Sequence, residues 1–311
     1  MYDRVASNVR KTWGLIFIFV VLVVGVGWLF TFFYPDWGYV PVVIAVGIAL
    51  AMTWGSYFAS DSIALSMSRA KPADPARDRQ LINIVESLSI AAGIPAPRVY
   101  TIDDSAPNAF ATGRNPEHAA VAVTRGLMAK MSRDELEGVI AHELSHVKNR
   151  DTLVMTIAVT LVGVVVLLAD WLLRALWWGG GGRDRDRGGG LGLPIAIIGI
   201  VLLILAPLFA QLLQFAISRR REFLADADGV LLTRYPPGLI NALSKLKEDQ
   251  TVVRTASRAT AHLWIEAPIA RNAQEGGRKQ GAWLNRMFNT HPPLDDRIAA
   301  LQSSLSGSTP A

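Results

Sequence analysis

The sequence predicts a mostly α-helical membrane protein, in which four transmembrane helices carry an α+β domain with a small sheet. Hydrophobic residues make up 51% of the 311 residues, and the mean hydropathy is +0.29. These values are too apolar for an ordinary soluble domain of this length. The charged residues, 18% of the total, cluster between four apolar runs. Each run reaches the roughly 20 residues that a helix needs to cross a bilayer.

The four apolar runs divide the membrane part into two predicted hairpins. The runs are Trp13 to Phe33, Tyr39 to Ala59, Thr152 to about Trp178, and Leu193 to Ile217. The first two contain no charge and are joined by a tight turn, so residues 1–59 are expected to form an N-terminal transmembrane hairpin. Residues 152–217 are expected to form a second hairpin, whose connection is the Gly-rich loop 179–192.

One charged pair interrupts the third run. Asp170 lies inside this run, and Arg174 follows one helical turn later. A buried polar site would explain the pair. We favour an ion pair near the far membrane surface, with Arg174 extending towards the headgroups. The role of Asp170 stays open at this point.

Basic residues indicate the orientation in the membrane. Those that flank the four runs on one side are Arg4, Arg10, Lys11, Arg69, Lys71, Arg77, Arg79, Lys148, Arg150, Arg219, Arg220 and Arg221. The positive-inside rule therefore places both termini on the cytoplasmic side of the plasma (inner) membrane, although three arginines of the Gly-rich loop argue against it. The net charge of +5 indicates contact with the lipid bilayer. No basic–aromatic face or recognition helix is visible, which excludes nucleic acid as a partner.

The remaining residues, 60–151 and 218–311, are predicted to fold together as one cytoplasmic domain. The first segment carries the clearest elements. They are an amphipathic helix from Arg77 to Ala92 ended by Gly93, strands at Arg98 to Ile102 and His118 to Thr124, an edge strand within Pro107 to Gly113, and a helix that Ser132 and Glu135 start as a capping box.

That last helix carries the sequence His142-Glu143-Leu144-Ser145-His146. Two histidines four residues apart are separated by about 40° around a helix and about 6 Å along it, so both rings can bind one ion. The chain has no cysteine, so a metal here must use histidine and carboxylate. Glu143 lies about 100° from His142, where it can act on a water beside the ion. The alternative is a helix that carries two histidines by chance.

A third metal ligand is expected, and Glu222 is the best candidate. It follows the fourth apolar run, and the histidine helix precedes the third. If those runs are antiparallel neighbours, both sets of ligands meet at one membrane surface. Asp226 lies one turn further on, where it can accept a hydrogen bond from a ligating histidine. The alternative is an ordinary solvated start of a charged helix.

Together, His142 to His146 and Glu222 to Asp226 resemble the HtpX-type membrane zinc endopeptidases, relatives of the CAAX prenyl endopeptidases. Further matches are Pro107 to Gly113 and Thr290 to Ile298. The resemblance covers essentially the whole chain. It implies a zincin-like metalloprotease domain with one Zn²⁺ per chain. The ligands would be His142, His146 and Glu222, and Glu143 would be the catalytic base.

The resemblance also implies a substrate site. Asn108, Ala109 and Phe110 would lie beside the cleft, where an extended substrate can add as a strand. His291 would lie near the developing oxyanion, although its His-Pro-Pro sequence is also typical of a plain turn. His118 is expected to be structural, and His262 has no assigned role. The expected substrates are misfolded or membrane proteins, in protein quality control under stress.

Three other functions are considered from the sequence. A non-proteolytic membrane scaffold would bind no zinc and would not respond to a change at Glu143. A small transporter would need polar, broken helices along a path through the membrane. A CAAX-type prenyl-protein peptidase is close in chemistry, but four helices are too few for an enclosed chamber.

Overall fold

The structure is a computed structural model that describes residues 2–33, 35–157, 219–249, 251, 253, 264–265 and 292–305. Within these ranges the chain is mostly helical, with a small mixed sheet. Only the beginning of the third apolar run falls inside them. The other predictions for the second hairpin, and those for Asp170, the Gly-rich loop, His262 and His291, lie outside the described residues.

Two long helices open the chain, as the sequence predicts. Helix α1 spans Tyr2–Phe33 and α2 spans Val40–Met67, and a 3-10 turn at Pro35–Trp37 lies between them. Their segments Val5–Phe32 and Val40–Ala59 are long and apolar enough to cross a membrane. The outer faces of both helices expose large apolar side chains, as suits contact with lipid; examples are Phe17, Val43 and Trp54.

The sheet has four strands in the order β1-β2-β4-β3. The strands are β1 (Lys71–Pro72), β2 (Arg98–Ile102), β3 (Ala109–Thr112) and β4 (Ala120–Thr124). The central pair, β2 and β4, is parallel, and the two outer pairs are antiparallel. Strand β3 therefore lies at an edge of the sheet, as predicted. The predicted strand at His118 to Thr124 begins two residues late, because Pro116–His118 forms a 3-10 turn.

Six helices complete the described part of the domain. They are α3 (Arg79–Ala92), α4 (Arg125–Lys130), α5 (Arg133–Lys148), α6 (Arg219–Thr233), α7 (Pro236–Glu248) and α8 (Leu294–Leu305). Helix α3 ends at Gly93 in the left-handed conformation that the sequence predicts. The predicted capping box of Ser132 and Glu135 begins α5. Residues 151–157 are again helical.

Helix α5 lies at the centre of the domain, where it contacts α3, α6, α7 and β3. Every residue from Gly138 to Val147 is buried, including both histidines and Glu143. The approach of α7 is close enough that a Cβ atom on Gly138 would lie 2.6 Å from the backbone nitrogen of Leu239. The polar groups of α5 are thus held inside an apolar core, where each needs a partner.

This close approach predicts that Gly138→Ala destabilises the protein. Alanine gains about 1 kcal/mol of helix propensity over glycine, but forcing α7 outwards costs about 1–3 kcal/mol. Because the nearest atoms of α7 belong to its backbone, we expect the overlap to win. The melting temperature in detergent should fall by at least about 2 °C. Gly55→Ala in α2 is the matched control, since a Cβ there has no neighbour within 4 Å. Equal melting temperatures of the Gly138→Ala and Gly55→Ala variants would contradict the close contact between α5 and α7.

Candidate metal centre

Two histidines from successive turns of α5 point their rings at each other. The Nε2 atoms of His142 and His146 lie 3.2 Å apart, and both side chains are buried. Their spacing of four residues puts them on one face of the helix, as the sequence predicts. The two nitrogen atoms that can bind an ion therefore face the same small volume.

Glu222, in the first turn of α6, supplies a carboxylate to this volume. Its two oxygens lie 3.8 Å from Nε2 of His142 and 3.5 Å from Nε2 of His146. Helix α6 approaches α5 closely because Gly229 has no side chain: a Cβ there would lie 3.0 Å from the backbone nitrogen of His142. The three predicted ligands, far apart in sequence, thus share one buried site.

The arrangement fits a divalent metal ion. One possible ligand atom from each of His142, His146 and Glu222 lies within 4.8 Å of the other two. A tetrahedral ion with bonds of about 2.0–2.1 Å would hold its ligand atoms about 3.3 Å apart. The two Nε2 atoms, 3.2 Å apart, are close to this separation. The Glu222 oxygens Oε2 and Oε1 lie 3.8 Å from Nε2 of His142 and 3.5 Å from Nε2 of His146, respectively. Two imidazole nitrogens and one carboxylate oxygen form a set of ligands typical of a catalytic site with an open position.

A buried carboxylate orients the first histidine. Nδ1 of His142 lies 2.9 Å from Oδ1 of Asp226, one turn after Glu222 on α6. A carboxylate only accepts, so the proton is on Nδ1 and the Nε2 lone pair faces the site. Arg297 of α8 is fully buried and donates to both oxygens of Asp226, at 2.8 and 2.6 Å. This bidentate contact holds the carboxylate in place.

The second histidine has a matching partner, Asp151, which the sequence analysis did not identify. Oδ2 of Asp151 lies 3.1 Å from Nδ1 of His146. In a continuous helix, a residue five positions on would lie about 140° around the axis and about 7.5 Å along it. Instead, α5 ends at Lys148, and Arg150 adopts a left-handed conformation with φ of 57°. This break directs the Asp151 side chain back towards His146.

Burial and neighbouring charges set the protonation of the metal-free site. Burial, helped by the charge of Arg297, lowers the pKa of His142 to about 4. Burial also acts to lower the pKa of His146, but the hydrogen bond with Asp151 and the charge of Glu222 raise it to about 9. Although burial opposes ionisation of Asp226, Arg297 lowers its pKa to about 2. The first histidine is therefore neutral, and Asp226 is ionised.

Glu143 is buried between the ligands and the sheet. Burial raises its pKa to about 7, because the opposing charge of His146 offsets this effect only in part. The backbone N–H of Ala111, in β3, donates a hydrogen bond to the Glu143 carboxylate. A carboxylate with a pKa near neutrality can both accept and return a proton, which is what a general base needs.

The residues predicted to bind substrate lie at the edge of the sheet next to Glu143. Asn108 precedes β3, Ala109 and Phe110 belong to it, and all three side chains are buried. Another part of the same chain covers this edge. The N–H of Ile265 donates to the carbonyl of Ala109 at 2.9 Å, and the ring of Trp264 packs edge-on against Phe110. Nothing in the sequence pattern indicated this pairing.

Sequence reasoning also missed Arg297, although it lies inside the matched segment Thr290 to Ile298. Its position offered a weak indication. Arg297 lies in the first turns of α8, where the helix dipole disfavours a cation unless a carboxylate is near. Asp226 is that carboxylate. Among the described residues, the hydrogen bonds of the His118 nitrogens are local, because its backbone and ring nitrogens both lie near Oδ1 of Asn115.

A model of peptidase family M48 matches residues 75–305, which include every residue of the site described above. The chain belongs to peptidase family M48. It is 42% identical over 304 residues to a protease HtpX homolog from Caldanaerobacter subterraneus subsp. tengcongensis, with 97% of both chains covered. It is 43% identical over 306 residues to a protease HtpX homolog from Streptococcus pneumoniae, with 97% of this chain and 99% of that one covered.

A solved structure, the crystal structure of S. mikatae Ste24p, aligns with 97% of this chain and 67% of its own length. The TM-score is 0.49 and the sequence identity is 19%.

As an M48 member, the protein is a metalloprotease that acts on protein substrates. This membership agrees with the buried cluster of His142, His146 and Glu222. It decides against the scaffold and transporter interpretations of the sequence. Within the described part of the chain, two helices are long and apolar enough to cross a membrane.

The contact at Gly229 predicts that Gly229→Ala weakens metal binding. The added Cβ would press on the backbone of His142 at 3.0–3.2 Å, so α6 must move away and carry Glu222 with it. We expect the dissociation constant for the metal, measured by competition with a chelating dye, to rise by at least about tenfold. Gly138→Ala is the control, because it adds a methyl group to the contact of α5 with α7, which is not the contact with the helix that carries Glu222. If both variants bound metal equally, the close approach at His142 would not matter for the site.

Proposed function

We propose that this M48 metalloprotease is a zinc-dependent endopeptidase with four transmembrane helices in the plasma membrane and a cytoplasmic catalytic domain. Residues 60–151 and 218–311 would form that domain, and 1–59 and 152–217 would form the membrane hairpins. The basic residues that flank the apolar runs support this orientation. The observation that carries the proposed activity is the convergence of two histidines and a glutamate beside a second, buried glutamate.

We infer that the metal is Zn²⁺, one per chain, with His142, His146 and Glu222 as ligands. Two imidazoles and one carboxylate with an open fourth position form a set that catalytic zinc uses. When bound, zinc polarises a carbonyl and lowers the pKa of water towards about 7. Asp226 and Asp151 would each hold one imidazole with its Nε2 lone pair directed at the ion.

Glu143 is the proposed general base. Its carboxylate would take a proton from water as the water oxygen bonds to the peptide carbonyl carbon. The same carboxyl group would then give that proton to the amide nitrogen as the carbon–nitrogen bond breaks. The N–H of Ala111 holds the carboxylate between the ligands and the edge strand. His291 stays a predicted contact of the oxyanion.

We propose that substrate binds as an extended strand along β3. Edge strands bind peptides through backbone hydrogen bonds, which suits substrates without a fixed sequence, such as misfolded or membrane proteins. In this structure Trp264 and Ile265 take that edge at Ala109 and Phe110. A substrate strand at the same register would replace them, so the segment 264–265 competes with substrate.

The role of Glu143 predicts that Glu143→Gln abolishes peptide-bond cleavage and keeps the metal. The amide has nearly the same shape but cannot take up the proton, so cleavage of an unfolded model protein should fall by at least about 10²-fold. Metal analysis should still find one zinc per chain. His146→Ala is the contrasting variant, and it should lose the zinc as well as the activity. Loss of zinc from Glu143→Gln would show that Glu143 is a ligand instead of the base.

Competition at the sheet edge predicts that Ile265→Pro lowers the KM for a peptide substrate. Proline cannot donate to the carbonyl of Ala109, so the competing segment loses one hydrogen bond, worth about 1 kcal/mol or about fivefold. Ile265→Ala is the matched control, because it removes the buried side chain and keeps the N–H. A KM that falls equally in both variants would assign the effect to side-chain packing.

A further inference from the structure

The first helix of the chain contacts the partner of a metal ligand. Asn8 of α1 is buried, and its Nδ2 donates to Oδ1 of Asp151 at 2.7 Å and to the carbonyl of Asn149 at 2.9 Å. The other carboxylate oxygen of Asp151 faces Nδ1 of His146 at 3.1 Å. Only two side-chain contacts therefore separate a membrane helix from the metal centre.

These two hydrogen bonds use both N–H groups of the Asn8 amide. They fall on either side of Arg150, the left-handed residue at which α5 ends. Such a conformation is unfavourable for a residue with a side chain and persists only where its surroundings hold it. Asn8 thus bonds the residues on both sides of the break that directs Asp151 back to His146.

Apolar packing sets the position of Asn8 along the membrane hairpin. Ile16 and Phe19 of α1 form one buried cluster with Leu153 and Ile157, which follow the break. Helix α1 is therefore packed against the segment that Asp151 begins. The hydrogen bonds of Asn8 and this apolar cluster both attach α1 to residues 149–157.

The charges around Asp151 explain why an amide side chain suits position 8. Asp151 is a buried carboxylate with His146 on one side and Nε of Arg221 at 3.6 Å on the other. A neutral donor satisfies an oxygen of Asp151 and leaves its charge available to His146. A carboxylate in place of Asn8 would repel Asp151, and an apolar side chain would leave a buried acceptor without this donor.

We propose that Asn8 is a positioning residue of the metal centre, which holds Asp151 so that His146 presents Nε2 to the ion. The inference rests on the proposed zinc site. It gives α1 a second role beside anchoring, because the membrane helix becomes part of the structure that orients a ligand.

The test compares Asn8→Leu with Thr12→Val in the full-length protein in detergent. Leucine is close in shape and cannot donate. Thr12 is the matched control because it is buried one turn later and its hydroxyl, among the residues that the structure describes, bonds the carbonyl of Asn8 in its own helix. We expect the dissociation constant for Zn²⁺, from competition with a chelating dye, to rise about 10- to 100-fold in Asn8→Leu alone. The absorption spectrum of the Co²⁺-substituted protein should change in Asn8→Leu, and KM should not.

A double-mutant cycle tests the route of the effect. If Asn8 acts through Asp151, Asn8→Leu should weaken zinc binding much less in an Asp151→Asn background than in the wild type. Additive losses, or equal zinc affinity in Asn8→Leu and Thr12→Val, would overturn the proposal. Asn8→Ala gives the same comparison if Asn8→Leu does not fold, as judged by the melting temperature without metal. Failure of the wild type to bind zinc would instead overturn the proposed function.

Discussion

The described structure depends on the need to pair buried charges around two histidines. Burying a carboxylate or a guanidinium costs several kcal/mol unless its partners are in place. Asp226 meets this requirement through Arg297, and Asp151 meets it through Asn8 and Arg221. Each pairing joins a different part of the chain to α5, so the ligands are oriented only when α1, α6 and α8 have docked.

The pairing of these charges also allows α5, a helix with polar groups, to be buried. Helix α5 keeps its chemical groups inside the apolar core, where the effective dielectric is low and hydrogen bonds to charged groups are strong. Two glycines allow the neighbouring helices to pack closely against α5. Gly138 lies on α5 and faces α7, and Gly229 lies on α6 and faces α5. Close packing at these points fixes the distance between the helices, and the distance between ligands follows from it.

The edge of the sheet would link the proposed substrate site to the proposed base. Strand β3 donates a backbone hydrogen bond from Ala111 to Glu143, and its neighbours Ala109 and Phe110 pair with residues 264–265. The same short edge therefore positions the proposed base and presents the backbone groups that an extended peptide would use. A substrate strand that binds as proposed at this edge would lie beside Glu143.

The sequence by itself determined the local features of this protein. The apolar runs determined α1 and α2, the capping box determined the start of α5, and the spacing of four residues placed His142 and His146 on one face, because each depends on neighbours along the chain. The approach of Glu222 was inferred from the order of the helices and from the family resemblance. Tertiary structure alone decided the contacts of Asn8, Asp151 and Arg297, and the pairing of 264–265 with β3. These contacts join residues far apart in sequence, or across a break in a helix, and they depend on packing and burial. Local patterns do not specify such contacts; even the position of Arg297 near the start of α8 indicated only that some carboxylate lies close by.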